Sequence, residues 1–348
     1  MIAGLALGPI LLTSPSVVRA EEDAPAQGAA ADQEASADKK VVTLWNLRYS
    51  DADGDAGLCD LFLPRLPGDD WRKRPAEARA TLPDQSASTS TPAPEAGPET
   101  LPVRIDGPRR PAVLVVHGGG WAAGDKWQQG VYGKGLAQAG VVAMNINYRL
   151  APEYPFPAAV DDVRTALLYL VDHADELAVD VDRIGLWGYS AGGHLVSLVA
   201  AMADEERATQ VASSGWAKDD PRWERLPRVR ALCAGGAPCD FREIPPRSDA
   251  LAFFLKGPRQ DFSELYHAAS PTAFASAGDP PTRLIHGDRD LLVPLDSSRE
   301  FHAALQAAGV AAELSVCEGQ GHMATFLNPT TMANVVEFLS NQLEPSTP

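Results

Sequence analysis

From Pro111 onward, short apolar runs alternate with stretches whose apolar residues recur every three or four positions. "AVLVVH" (112–117) and "VVAMNINY" (141–148) are continuous apolar runs, the pattern of strands buried on both faces. Further strands are predicted at "RIGLW" (183–187), "VRALCAG" (229–235), "TRLIHG" (282–287) and "AELSVCE" (312–318). Between them lies "FPAAVDDVRTALLYLVDHADEL", with Val160, Val163, Leu167, Leu170 and Val171 on one helical face and Asp161 and Asp162 near its N-terminus. Helices are also predicted over 191–203, near 296–308, and near 330–343, where Met332, Val335, Val336, Leu339 and Leu343 form a stripe. This βαβ alternation predicts the α/β class, a mostly parallel central sheet with helices on both faces.

The first third of the chain is organised differently. "VVTLWNLRY" (41–49) and "LCDLFLP" (58–64) predict two strands joined by the turn "SDADGDAG". A stretch from about 67 to 110, containing "DQSASTSTPAPEAGPE", is too polar and Pro-rich for a core and predicts a surface insertion inside one domain spanning 41–344. Residues 204–228, charged and Trp-bearing, break the alternation and are expected to form a lid. Residues 21–40 predict a disordered linker. Ahead of it, the apolar run Ile2–Leu12 and the small-residue site at Val18-Arg19-Ala20 predict a signal peptide over 1–20 and export to the periplasm or outside. The usual basic opening is absent, and the run is too short to span a bilayer.

Composition narrows the partners. A hydrophobic share of 45% fits a globular protein with a substantial core. A formal charge of -16 argues against nucleic acid and against anionic membrane surfaces, leaving small-molecule or carbohydrate-linked substrates, with no stable membrane insertion. Oligomeric state is not readable. The four cysteines leave two readings open: a local disulfide between Cys233 and Cys239, which bracket "AGGAP", or four buried small hydrophobes. No Cys or His spacing suggests a metal, and no cofactor motif is present.

Four features fall at carboxyl ends of predicted strands, where ligands meet open parallel sheets. "GYSAGG" places Ser190 on a strand-to-helix turn flanked by Gly188 and Gly192, with the Ala191 amide behind it. "HGGGW" (117–121) offers the amides of Gly119 and Gly120 for an oxyanion, with His117 bracing the loop. "HGDRDLLVP" (286–294) supplies a carboxylate, Asp290 in preference to Asp288, whose expected job is to shape the turn. "EGQGHM" (318–323) supplies His322, and the order Ser…Asp…His is complete. Trp121 and Tyr189 are candidates for the substrate pocket.

With "NYRLAPEYPFPAAVDDVRTAL", "ASPTAFASAGDPP" and "LIHGDRDLLVP", these stretches resemble, in order, the α/β-hydrolase esterases of the hormone-sensitive-lipase branch. "SAGGHL" and the Trp after the glycines are most similar to small bacterial bifunctional feruloyl/acetylxylan-type esterases. The resemblance covers about residue 110 to the end and implies an α/β-hydrolase fold. It implies carboxylic ester hydrolysis with Ser190, Asp290 and His322 as the triad and Gly119, Gly120 and Ala191 as the oxyanion hole. The chain departs from many members of that branch at Tyr189, where they carry an acid. Two alternatives stand beside it: a serine peptidase of the prolyl-oligopeptidase type, for whose propeller there is no room before residue 110, and a non-catalytic binding protein on the same fold.

Overall fold

A computed structural model describes residues 41–73 and 101–345. The expected signal peptide (1–20), the linker (21–40) and the middle of the insertion lie outside the described residues.

Among the described residues ten strands occur in chain order: β1 (Val41–Arg48), β2 (Leu58–Pro64), β3 (Asp70–Lys73), β4 (Val103–Asp106), β5 (Arg110–Val116), β6 (Val142–Ile146), β7 (Val179–Tyr189), β8 (Val229–Gly235), β9 (Thr282–Gly287) and β10 (Ala312–Cys317). Eight form one sheet in the order β1-β2-β6-β5-β7-β8-β9-β10. The β1–β2 and β2–β6 pairs are antiparallel, and every later pair is parallel. The chain leaves β5 for β6 on one side and then returns to lay β7 on the other. The carboxyl ends of β5 and β7 therefore bound a topological switch point, the crevice where such sheets bind ligands.

Alternate residues of the central strands feed two cores. Leu114, Val116, Leu186 and Leu232 face one side, packed under the helices Ala158–Asp172, Ala191–Ala201 and Leu295–Ala307. Val113, Val115, Trp187 and Cys233 face the other, under the helices Gly130–Gln138 and Pro329–Gln342. The helix Gly130–Gln138 is absent from the sequence expectation. Its three glycines, Gly130, Gly133 and Gly135, blur the apolar period, and it forms because Tyr132, Leu136 and Ala137 are buried against the sheet.

Three expectations are corrected. The stretch 67–110 is not a free insertion at its ends: β3 and β4 pair antiparallel, and Leu101 and Ile105 are core residues. A bidentate ion pair closes it, with Arg110 Nη2 2.6 Å and Nη1 3.0 Å from the Asp69 carboxylate and both side chains almost wholly buried. The segment 204–228 is not a free lid. It packs along the helix Ala158–Asp172: Ser214 Oγ and the Gly215 amide donate to Asp161 in the first turn, Arg164 donates to Ser213, and Arg225 pairs with Asp172 at the end. There Trp216 and Trp223 meet edge to face and pack with Leu168. The Cys233–Cys239 disulfide is excluded, because Cys233 belongs to one core and Cys239 to the other, each as a buried thiol.

Asp69 is the partner that makes a buried guanidinium tolerable. Replacing Asp69 with Ala is expected to lower unfolding free energy by about 3–5 kcal/mol, because it strands Arg110, whereas replacing both residues with apolar side chains recovers most of the loss. Urea titration of the single and double variants reads both outcomes.

Candidate active site

β7 ends at Tyr189 and the helix Ala191–Ala201 begins two residues later, so Ser190 must reverse the chain alone. It does so at φ 56° and ψ -123°, a left-handed conformation that costs a non-glycine residue about 1–3 kcal/mol. The Ser190 amide donates to the Gly235 carbonyl of β8 at 2.7 Å and pins the turn. Gly192 is required here: a Cβ would overlap the Val116 carbonyl of β5. That close approach presses the helix N-terminus against the end of β5, where "HGGGW" begins.

The glycine loop closes on itself. Gly119, at φ 123°, accepts the amides of Ala122 and Ala123, and any side chain on it would overlap the Ala123 carbonyl. Gly119 and Gly120 are exposed, and among the described residues nothing accepts a hydrogen bond from their amides or from that of Ala191. Gly118 lies against the turn, where a Cβ would meet Ser190 Cβ at 3.1 Å. His117 anchors the loop from below. Its Nδ1 donates to the Gly118 carbonyl at 2.7 Å, and its ring stacks on Tyr148 at 4.3 Å. Burial pushes the His117 imidazole down to about 4, so it is neutral.

β9 and β10 are paired in parallel with Gly287 opposite Cys317, which brings the two following loops to one level. Asp290 Oδ2 accepts from His322 Nδ1 at 2.6 Å, while Oδ1 accepts the amides of Leu292 and Val293 at 2.8 and 2.9 Å. Asp288 accepts the Gly319 amide at 2.6 Å instead and shapes the turn. Burial alone would raise the Asp290 carboxyl. Its contacts with His286 (3.4 Å) and His322 and the Val293 amide outweigh that and hold it well below the usual carboxylate range. The acid is therefore a permanent anion that fixes the His322 tautomer with the proton on Nδ1. Among the described residues, His322 Nε2 and Ser190 Oγ have no hydrogen-bond partner. Gly236 lies between their supports: its neighbour Gly235 holds the Ser190 amide, and a Cβ on Gly236 would meet His322 Cε1 at 3.0 Å.

The BD-FAE family matches residues 100–305, more than half of the chain. The chain belongs to the BD-FAE family. Among curated proteins, this BD-FAE chain is 32% identical over 198 residues to the probable carboxylic ester hydrolase LipM of Mycobacterium tuberculosis, covering 55% of this chain and 44% of that one. It spans about half the length of the first curated relatives it matches. Among solved structures, a truncated carbohydrate esterase from gut microbiota superposes with a TM-score of 0.68 at 20% identity, covering 89% of this chain and 99% of that one. An acetyl ester-xyloside bifunctional hydrolase from Caldicellulosiruptor lactoaceticus gives 0.56 at 26% identity, over 68% and 84%. The fold of this BD-FAE chain is the α/β-hydrolase fold.

The two expected pocket residues are placed otherwise. Trp121 is turned inward at φ 59°, 6% exposed, stacked on Phe254 at 4.4 Å. Its indole donates to His194 Nδ1 at 3.0 Å, so the His194 proton sits on Nε2 and is donated to the Ala269 carbonyl. Burial pushes His194 down to about 4. Tyr189 is 3% exposed and faces His322 rather than open space. Sequence reasoning missed Phe241 and Phe254, which belong to the excursion between β8 and β9 and close the aromatic cluster around Trp121. No local pattern marks them, because their partner lies more than a hundred residues earlier in the chain.

The Gly192–Val116 contact is backbone on both sides and cannot relax through a rotamer. Gly192→Ala is expected to cost roughly 3 kcal/mol or more, in the range reserved for overpacking, with a matching fall in thermal midpoint. Gly120→Ala meets nothing within 4 Å and serves as the milder comparison, subject only to its φ of 59°.

Proposed function

We propose that this protein hydrolyses carboxylic esters through an acyl-enzyme, with Ser190 as nucleophile, His322 as general base and acid, and Asp290 as the orienting carboxylate. The observation that carries this reading is the 2.6 Å Asp290–His322 bond at the same sheet edge as a serine held in a left-handed turn. A serine hydroxyl attacks a carbonyl only when a base removes its proton, and a neutral imidazole with Nε2 unengaged can do so. The proton passes from Ser190 Oγ to His322 Nε2 as the oxygen–carbon bond forms, and the imidazolium is stabilised by the Asp290 anion. Negative charge gathers on the former carbonyl oxygen, for which the amides of Gly119, Gly120 and Ala191 are the donors. One such donor is worth about 3 kcal/mol. The imidazolium then protonates the leaving alcohol. Water attacks the acyl-enzyme by the same proton route in reverse.

For the substrate we propose short acyl esters carried on carbohydrate, acetyl or feruloyl. The similar proteins are named as a carbohydrate esterase and an acetyl ester-xyloside hydrolase, which supports this class. Exposed Leu291, Leu292 and Met323, neighbours in sequence of Asp290 and His322, offer apolar surface for an acyl or aromatic group. The strong negative charge favours a neutral substrate over an anionic one. The export expected from residues 1–20 agrees with a polymeric carbohydrate substrate outside the cytoplasm and belongs to the same proposal.

The wild-type protein is expected to hydrolyse p-nitrophenyl acetate and butyrate and to release acetate from acetylated xylan. Ser190→Ala abolishes turnover. Asp290→Asn lowers kcat by about 10⁴, because the amide no longer enforces the Nδ1–H tautomer. Retained turnover in Ser190→Ala, or none in the wild type on any of these esters, overturns the reading.

A further inference from the structure

Tyr189 stands where the nucleophile's strand ends, yet its side chain reaches the opposite side of the site. Its hydroxyl donates to the main-chain carbonyl of His322 at 2.6 Å, and its ring lies 5.1 Å from the His322 ring and 5.0 Å from Phe326. Gly235 and Gly236 make room for it; a Cβ on Gly236 would meet both Tyr189 Oη and His322 Cε1 at 3.0 Å. Burial raises the phenol well above its ordinary value, so it remains a donor throughout the neutral range. We infer that Tyr189 is the positioning residue of the general base. Its hydroxyl sets where His322 stands relative to Ser190.

The argument is geometric and rests on the ester-hydrolase reading above. His322 opens a six-residue helix, His322–Leu327, after a glycine-flanked loop, and short segments of that kind do not hold a side chain by themselves. Asp290 grips the ring at Nδ1. One hydrogen bond fixes a point and leaves the imidazole free to swing about it. The Tyr189 hydroxyl grips the same residue at its carbonyl and removes that freedom. Tyr189 is covalently joined to Ser190 and paired across to Gly235 in the sheet. The nucleophile–base separation is thus set through one peptide bond and one hydrogen bond, without relying on the loop. A second tyrosine holds the far end of the same helix, with Tyr132 Oη donating to the Phe326 carbonyl at 2.6 Å. Space filling alone would be met equally well by phenylalanine, so the hydroxyl carries the distinction.

The test is Tyr189→Phe, which keeps the ring and removes the bond. With p-nitrophenyl acetate, kcat is expected to fall about tenfold while KM and the melting temperature stay unchanged, as for a base moved slightly off its line of attack. A second readout needs no turnover. The His322 Nδ1 proton, bonded to Asp290, gives a far-downfield proton NMR signal assigned by its loss in His322→Gln. In Tyr189→Phe this signal is expected to broaden through faster exchange with water. A sharp, unshifted signal, or a kcat equal to wild type, overturns the inference. Ser190→Ala is measured alongside: turnover retained there removes the ester-hydrolase reading, while the NMR comparison still decides whether Tyr189 holds His322.

Discussion

At the carboxyl ends of β5 and β7 the backbone packs too closely for side chains, and the rest of the molecule is arranged around that closeness. Val116 of β5 lies opposite Gly188 of β7, and one turn later Gly192 presses on the Val116 carbonyl. The strain of Ser190, about 1–3 kcal/mol, is small beside what holds it in place. The helix behind it is buried at every position from Ala191 to Ala201, and the Ser190 amide is tied to β8. The same closeness brings the glycine loop within contact of the serine. Switch point, turn and loop are one geometric event, the place where the strand order reverses.

Asp290 and His322 reach this point by sheet register rather than by local chemistry. Parallel pairing sets Thr282 opposite Ala312 and Gly287 opposite Cys317, so the β9 and β10 loops leave the sheet together. Main-chain bonds then join them, Asp288 N–H to the Cys317 carbonyl and Arg289 N–H to the Gln320 carbonyl. Asp290 and His322 meet as a consequence. A shift of one residue in this register would turn every side chain of β10 to the other face and separate the pair.

Much of this is legible in the sequence where the signal is local. The strands 229–235 and 282–287 coincide with the predicted runs, because each ends at a glycine that bounds its apolar stretch. Glycines that must lie beside a serine, and loops that must follow strands, are also local facts. What the sequence does not carry is direction and distance. Asp288 and Asp290 occupy the same loop and differ only in which amide or imidazole each meets. Trp121 follows the glycines in either an open or an inward pose, and His194, 73 residues on, decides it. Arg110 reads as one more charge at the edge of a polar stretch until Asp69 is found 41 residues earlier. The two tryptophans of 204–228 reveal an apolar partner, not that the helix Ala158–Asp172 supplies it.

The histidines show why partnering, more than residue type, separates chemistry from support. His194 spends both ring nitrogens, on the Trp121 indole and the Ala269 carbonyl. His286 does likewise with Ser298 and the Val293 carbonyl. An imidazole so engaged has no nitrogen left to take a proton from a substrate or a serine. His322 is held just as firmly, but through Nδ1 and its main-chain carbonyl, so the constraint falls on its position and leaves Nε2 unengaged. That division requires a donor aimed at the backbone rather than at the ring. The residue ahead of the serine is well placed to supply one, since it ends a central strand whose position the whole sheet determines. A carboxylate at that position would be an acceptor only and could not bond the His322 carbonyl. Tyr189 can, and the departure at this position is therefore a change in how His322 is held.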